Sequence, residues 1–339
     1  MNEVVIACGA LCISWWVAEV VRRNAGALRL VQNPNDRSSH AVPTPSGGGI
    51  GIAIAGCAAG LFYCHSTYLW LALLISAATA CIGLADDRFD LSSKIRIVFH
   101  VIVVGTMLLA GSELPAIVTP FGSLSGIVLC SIVLLAGVWW INLFNFMDGI
   151  DGLAAGEAVC LCIGLALLIS LSGAGETPTV PWLIALAAAS AGFLMLNWPP
   201  AKVFMGDAGS NYLATIFLAL ALFELSAGRV NYAAVSILVA CFVTDATITL
   251  VTRVFAGERF FAAHRLHAYQ KLSRRWNGHR KVTVLYLVIN LIWLYPLAYV
   301  ATAFPQYGWA AIVAAYVPIA IMCVRAGAGV PEIATADAE

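Results

Sequence analysis

Charge is scarce in this chain. Only 11% of its 339 residues are Asp, Glu, Lys or Arg, against 61% that are hydrophobic. Soluble domains carry roughly a quarter charged residues, so a water-soluble globular protein is excluded, and with no basic excess nucleic acid is not an expected partner. Ten cysteines are present, at 8, 12, 57, 64, 81, 130, 160, 162, 241 and 323. All lie in apolar runs, none forms a C-x-x-C pair and none neighbours a histidine cluster. Neither a disulfide framework nor a zinc site is expected, and the cysteines serve as small apolar filler. The first apolar run has no basic region ahead of it and no small-residue cleavage site behind it, so a retained helix is expected rather than a signal peptide. No internal repeat relates the two halves, which argues against the repeat-built transporters.

What the chain has is apolar runs of about 18 residues or more, the length of a bilayer-crossing helix. They predict an all-α polytopic membrane protein, with a single integral membrane domain over 1–325 and a short, unstructured tail over 326–339. Eleven spans are expected, at 4–21, 48–64, 66–85, 95–111, 126–144, 156–171, 182–196, 208–226, 231–252, 282–303 and 308–324. Alternate connecting segments, with Arg96 just inside the adjoining span, hold every Lys and Arg except Arg229. The positive-inside rule makes that side cytoplasmic, placing the N-terminus outside and the C-terminus in the cytoplasm. Asp36, Asp86, Asp87, Asp90, Asp148, Asp151, Asp207 and Asp245 fall on or near the same side, so a one-sided site at the membrane surface is expected.

Five cytoplasmic segments carry chemistry. In 142–156, Asn142, Asn145, Asp148 and Asp151 recur every third residue, a slanting stripe on one helix face, with Gly149 and Gly152 loosening the helix beside the carboxylates. Carboxylate and carboxamide oxygens suit Mg²⁺, which usually brings a substrate phosphate. Arg37–Gly49 combines prolines that enforce an extended entry with glycines that allow close backbone approach, either to a neighbouring helix or to a phosphate. Asp86-Asp87-Arg88-Phe89-Asp90 sets Asp86 and Asp90 on one face with Asp87 beside them, as a base, half of a metal site, or a solvated helix end. In 197–210, Lys202, Asp207 and a glycine-bearing helix start at Gly209 and Ser210 lie within nine residues. A nucleoside-diphosphate–Mg²⁺ site needs such a set, with free N–H groups facing the anion. The last loop centres on His264, Arg265 and His267, which without a third histidine or a cysteine nearby are expected to bond a phosphate or sugar. Its remaining basic residues follow the positive-inside rule or meet anionic headgroups.

Three of these segments, Asp86–Asp90, Asn142–Gly156 and Ala201–Ser210, together resemble the signature stretches of the polyprenyl-phosphate N-acetylhexosamine-1-phosphate transferases (glycosyltransferase family 4), over about 30–285. The resemblance implies a multi-pass transferase of the bacterial inner membrane. It moves a sugar 1-phosphate from a UDP-N-acetylhexosamine to undecaprenyl phosphate and releases UMP. By position it implies that Asp207 and Asn145 hold Mg²⁺, with Mn²⁺ able to substitute, that Asp151 and Phe204 hold the uridine, Phe204 by stacking, and that Lys94 and Lys202 neutralise the diphosphate. Asp86 and Asp87 are the acidic pair, one of which acts on the lipid phosphate. Asp148 and His267 join the catalytic set, and Asn142, His264 and Arg265 the substrate contacts. Many members carry further histidines after the first in the last loop, where Tyr269 and Gln270 stand here. This departs from the phospho-N-acetylmuramoyl-pentapeptide branch. It resembles the branch that initiates O-antigen and related surface glycans, with N-acetylfucosamine, N-acetylquinovosamine or N-acetylglucosamine as the sugar. The lipid bilayer and a homodimer partner complete the expected interactions.

Two rivals stand against this reading. A CDP-alcohol phosphatidyltransferase needs further aspartates soon after its Asp-Gly start, whereas after Asp151 the next is Asp207. An ion-coupled transporter needs mid-span carboxylates, for which Glu19, Glu224 and Asp245 are the candidates, Asp245 paired with Arg253.

Overall fold

The computed structural model describes residues 2–32, 43–119, 122–173, 175–258 and 264–331. Segment 33–42, with Asp36 and the start of the Arg37–Gly49 stretch, lies outside them, as do Arg259 and 332–339. Fourteen α-helices make up the described part: α1 (Glu3–Leu28), α2 (Ile50–Gly60), α3 (Thr67–Phe89), α4 (Ser93–Ala110), α5 (Gly126–Phe146), α6 (Leu153–Leu171), α7 (Thr179–Asn197), α8 (Gly206–Ser226), α9 (Tyr232–Leu238), α10 (Ala240–Phe255), α11 (Ala268–Arg275), α12 (His279–Val288), α13 (Tyr295–Ala303) and α14 (Gly308–Ala326). A π-helical stretch, Ile289–Leu294, joins α12 to α13. Two short antiparallel hairpins pair Val31–Gln32 with Thr44–Pro45 and Ile117–Thr119 with Gly122–Leu124.

The fold is organised around α8. Its membrane window is 89% buried, against 22% for α4. It packs on α3, α5, α2 and α6. Apolar side chains gain little from meeting each other rather than lipid, so close helix approach depends on small residues. At Gly83 of α3 a methyl group would collide with the Asp207 carbonyl at the start of α8. Glycine there lets the two helices bring their site-side ends together.

Nine described helices are long and apolar enough to cross a membrane, ten if the α9–α10 pair is one span. Two expected spans take other forms. Segment 231–252 is broken at Val239 and bent by 73°. Segment 48–64 contains the eleven-residue α2, about 16 Å at the usual rise. Even so, α2 runs from the site to the far end of α7. Gly48 and Gly49 N–H donate to the Phe204 and Met205 carbonyls, both at 2.9 Å. At its other end Trp182, in the first turn of α7, donates to the Gly56 carbonyl at 3.0 Å.

Mid-span carboxylates all have partners. Glu19 pairs with Arg22 and Arg23, both at 2.6 Å. Glu224 takes Arg229 at 3.1 Å and the Thr177 hydroxyl at 3.0 Å. Glu157, at a helix start by sequence, is fully buried in α6 and accepts from Asn290 of the π stretch at 2.7 Å. The expected Asp245–Arg253 pair is not made; Arg253 bonds Glu258 at 2.7 Å. After α14 the chain is fastened to the last loop, where Gly329 N–H donates to the Leu266 carbonyl at 2.8 Å.

Candidate active site

The site forms where α3 and α5 end and α8 begins. Asp87 turns its carboxylate onto the first turn of α8 and accepts Asp207 N–H at 2.9 Å and Ala208 N–H at 3.2 Å. The sequence expectation was that these N–H groups would face a substrate anion. They face the protein's own carboxylate instead, because the close approach at Gly83 brings Asp87 to the positive end of the helix. Asp207 accepts from Asn145 Nδ2 at 2.7 Å. Asn145 also donates to Ser210 at 3.1 Å. Arg96 of α4 completes the cluster, 2.7 Å from Asp86 and 3.4 Å from Asp207. Asp86 further accepts Leu91 N–H at 2.7 Å. Asp90 lies on the exposed rim, with left-handed backbone at the end of α3.

The stripe of 142–151 is helical only in its first half. α5 stops at Phe146, and Met147–Gly152 turns back into α6. Asp148 therefore leaves the helix face and stands near Asp207 and Asp87. Burial, then the charges of Asp207, Asp87 and Asp151, push its carboxyl well above the ordinary carboxylate range. Asp151 is fastened on two sides: it accepts Ala201 N–H at 3.0 Å and lies 3.1 Å from His279 Nδ1. Its carbonyl accepts the Thr283 hydroxyl at 2.8 Å. Asn197 bridges the turn to the Lys202–Phe204 segment, accepting Gly152 N–H and donating to the Val203 carbonyl, each at 2.9 Å.

From the other side α11 presses on this turn. The Tyr269 hydroxyl donates to the Phe146 carbonyl at 2.9 Å. A methyl at Gly149 would collide with that hydroxyl, so glycine is required there by the tyrosine. His267 lies between His264 and Tyr269, with ring centroids 5.0 Å and 5.5 Å away. Burial, then the electrostatic influence of His267 and Arg253, lower His264 to about 3. It is a neutral ring at working pH, able to accept as well as donate.

Two cavities meet here. A polar one of about 330 Å³ is lined by Arg29, Asp86, Asp87, Arg88, Arg96 and Asp207. A mostly apolar one of about 410 Å³ runs between α4, α5 and α10, past Trp139, Phe146 and Leu250 to Asn142, His264 and His267. Arg96 lines both. Asn142 also contacts His100 Nδ1 at 3.1 Å.

Asp86, Asp87, Asn145, Asp148 and Asp207 thus converge, and Asn142, His264 and His267 face the second cavity. Lys94 and Lys202 are exposed and line neither cavity. Arg265 offers its carbonyl to Arg274 at 2.9 Å. Phe204 is half-buried, its backbone bonded to Pro45 and Gly48. The cation that reaches the carboxylates is Arg96. Sequence position gave it to the interior of a span, yet it stands in the first turn of α4, facing α3. Asn197 is not singled out by the sequence, where nothing local marks its bridging role.

Among the described residues no three His, Cys, Asp or Glu side chains stand close enough to hold a metal ion by themselves. Mg²⁺ commonly needs only one or two carboxylates, with substrate phosphate completing its shell. The Asp207 carboxylate, under a surplus of negative charge, fits that requirement; the Asn145 carboxamide lies beside it but turns its amide nitrogen to Asp207 here, so its oxygen would have to turn inward to join a metal's shell.

A family model described as glycosyl transferase family 4 matches residues 69–225, from the start of α3 to the end of α8 and through all the clustered carboxylates. An undecaprenyl-phosphate alpha-N-acetylglucosaminyl 1-phosphate transferase of Yersinia pestis is 31% identical over 277 residues, covering 78% of this chain and 75% of the relative. A probable undecaprenyl-phosphate N-acetylglucosaminyl 1-phosphate transferase of Bacillus subtilis is 28% identical over 284 residues, covering 80% and 78%. A decaprenyl-phosphate N-acetylglucosaminephosphotransferase of Mycobacterium tuberculosis is 28% identical over 321 residues, covering 84% and 79%. With a relative 31% identical over 78% of its length and the carboxylate cluster inside the region the family model matches, this chain belongs to the glycosyl transferase family 4 polyprenyl-phosphate N-acetylhexosamine-1-phosphate transferases.

Proposed function

We propose that the protein transfers an N-acetylhexosamine 1-phosphate from its UDP-sugar to undecaprenyl phosphate at the cytoplasmic face of a bacterial inner membrane, with the N-terminus outside. The relatives' names support N-acetylglucosamine as the sugar. The 6-deoxy-N-acetylhexosamines remain the competing donors, on the strength of Tyr269 and Gln270 in the last loop. One observation carries the reading: a polar cavity rimmed by carboxylates and arginines opens beside an apolar one, and Arg96 belongs to both. A nucleotide diphosphate suits the first and a polyprenyl chain the second.

In the reaction an oxygen of the lipid phosphate forms a bond to the β-phosphorus of the UDP-sugar. The bond from that phosphorus to the bridging oxygen breaks, and UMP leaves with the oxygen. Lipid phosphate is already ionised at neutral pH, so direct attack is favoured over an aspartyl-phosphate intermediate. Arg96 orients the two phosphates toward each other and offsets their repulsion. Asp86 holds Arg96, and Asp87 holds the start of α8 and so the Asp207 side chain. Burial, then the neighbouring carboxylates, favour the protonated form of Asp148, and in that form it would donate a hydrogen bond to a phosphate oxygen where an ionised carboxylate would repel it. Mg²⁺ or Mn²⁺, held by Asp207 and Asn145, would supply charge neutralisation on the diphosphate. His264 and His267 face the lipid phosphate from the far wall of the groove.

The test uses purified protein in detergent with undecaprenyl phosphate and a panel of UDP-N-acetylhexosamines, following UMP release with Mg²⁺ and with EDTA. Metal-dependent release that requires the lipid and one donor supports the reading. UMP exchange into the UDP-sugar without lipid would replace direct attack with the covalent route. Silence across the panel in folded protein would overturn the proposal.

A further inference from the structure

Asp245 lies on α10, outside the carboxylate cluster, and is fully buried. Nothing in the transfer chemistry uses it. Its two oxygens nevertheless accept four hydrogen bonds. Oδ1 accepts Ala268 N–H at 2.8 Å and the Thr249 hydroxyl at 3.2 Å. Oδ2 accepts Tyr269 N–H at 2.9 Å and the Tyr286 hydroxyl at 2.7 Å. His267 Nδ1 lies 3.5 Å from Oδ1. One carboxylate therefore ties α10, the first turn of α11, and α12 together. These four partners all donate, and an ionised carboxylate is the side chain that only accepts. It also matches the positive end of α11.

The bonds continue toward the reaction. Tyr269, held at its N–H by Asp245, donates its hydroxyl to the Phe146 carbonyl, the last residue of α5 and two before Asp148. The same hydroxyl fills the space a side chain at Gly149 would need. Gln270 accepts His267 N–H at 3.3 Å and lines the apolar cavity.

We propose that Asp245 is a positioning residue for the transfer: it seats α11 so that Tyr269 braces the turn carrying Asp148 and Asp151 and His267 faces the groove. The proposal rests on the transferase reading, but its test does not depend on turnover alone. Amide hydrogen exchange over 146–153, measured in the full chain in detergent without substrate, should speed up about tenfold in Asp245→Asn. Tyr269→Phe should reproduce that change while leaving the amides of α11 at wild-type rates. Glu224→Gln, a buried carboxylate change at the far end of α8, should not move 146–153. With UDP-N-acetylglucosamine and undecaprenyl phosphate, Asp245→Asn should lower kcat/KM about 30-fold and Tyr269→Phe about tenfold, and the double variant should match Asp245→Asn alone. Should Asp245→Asn not fold, Tyr286→Phe removes one donor and keeps the carboxylate. It should then raise exchange over 146–153 by about threefold. Unchanged exchange there in the folded variants, or multiplicative kinetic losses in the double, would overturn the proposal. Exchange changes as expected in a protein that releases no UMP would leave the bracing intact and discard the transferase reading.

Discussion

Arg96 and Lys94 offer a direct contest between position in the sequence and position in space. The motif points to Lys94; the structure brings Arg96 to the carboxylates. Arg96→Gln removes a guanidinium lying 2.7 Å from Asp86 and 3.4 Å from Asp207, with 30% of the side chain exposed. A preorganised donor aimed at developing phosphoryl charge is worth about 3–4 kcal/mol in a dry site. Partial exposure screens part of that, leaving about 2–3 kcal/mol and so a loss of roughly 30- to 150-fold in kcat/KM for UMP release. Arg96→Lys should recover part of the loss, since a lysine retains the charge but not the planar fork. Lys94→Gln should fall by less than about threefold, as expected of an exposed surface charge. Steady-state UMP release at saturating lipid and varied UDP-sugar measures all three. If Arg96→Gln keeps wild-type kcat/KM while Lys94→Gln loses activity by the larger factor, the reasoning from cavity geometry fails and the sequence position was the better guide.

Other residues give independent checks. Gly149→Ala should cost at least about tenfold in activity by driving its methyl into the Tyr269 hydroxyl, and adding Tyr269→Phe should restore part of it; a double variant no better than the single refutes the collision. Asp148 binds its proton more tightly in the folded than in the unfolded chain, so its contribution to stability is lost as pH rises above the usual carboxylate range. In EDTA the wild-type Tm should fall more steeply than that of Asp148→Asn as pH rises above the ordinary carboxylate range, and equal slopes would remove Asp148 as the cause. Asn197→Leu leaves the Gly152 N–H and the Val203 carbonyl without their buried partner, a loss of about 2–4 kcal/mol that should appear as a lower Tm in detergent.

Membrane class, helix content and most span positions were legible because a bilayer imposes a one-dimensional rule: about 20 apolar residues, whatever their neighbours. That rule is silent on bends, and so 231–252 looked like one span although it breaks at Val239. It also overstates segment 48–64, whose helix α2 has only eleven residues. Spacing of three predicted a helical stripe through Asp151, but glycine at 149 and 152 and the brace from Tyr269 convert its second half into a turn.

By itself the sequence determined that the chain is a polytopic membrane protein with its chemistry gathered on one side, and that its acidic motifs match a phosphosugar transferase family. Both follow from composition and local order, which survive without any tertiary contact. Only the folded chain decided which groups meet: that Asp87 and not a ligand satisfies the start of α8, that Arg96 rather than Lys94 joins the carboxylates, and that Asp245 braces a loop instead of pairing with Arg253. Those choices depend on close approaches between segments distant in sequence, at Gly83 between α3 and α8 and at Gly149 between the 147–152 turn and α11. Spacing along one helix cannot encode where a second one will cross it.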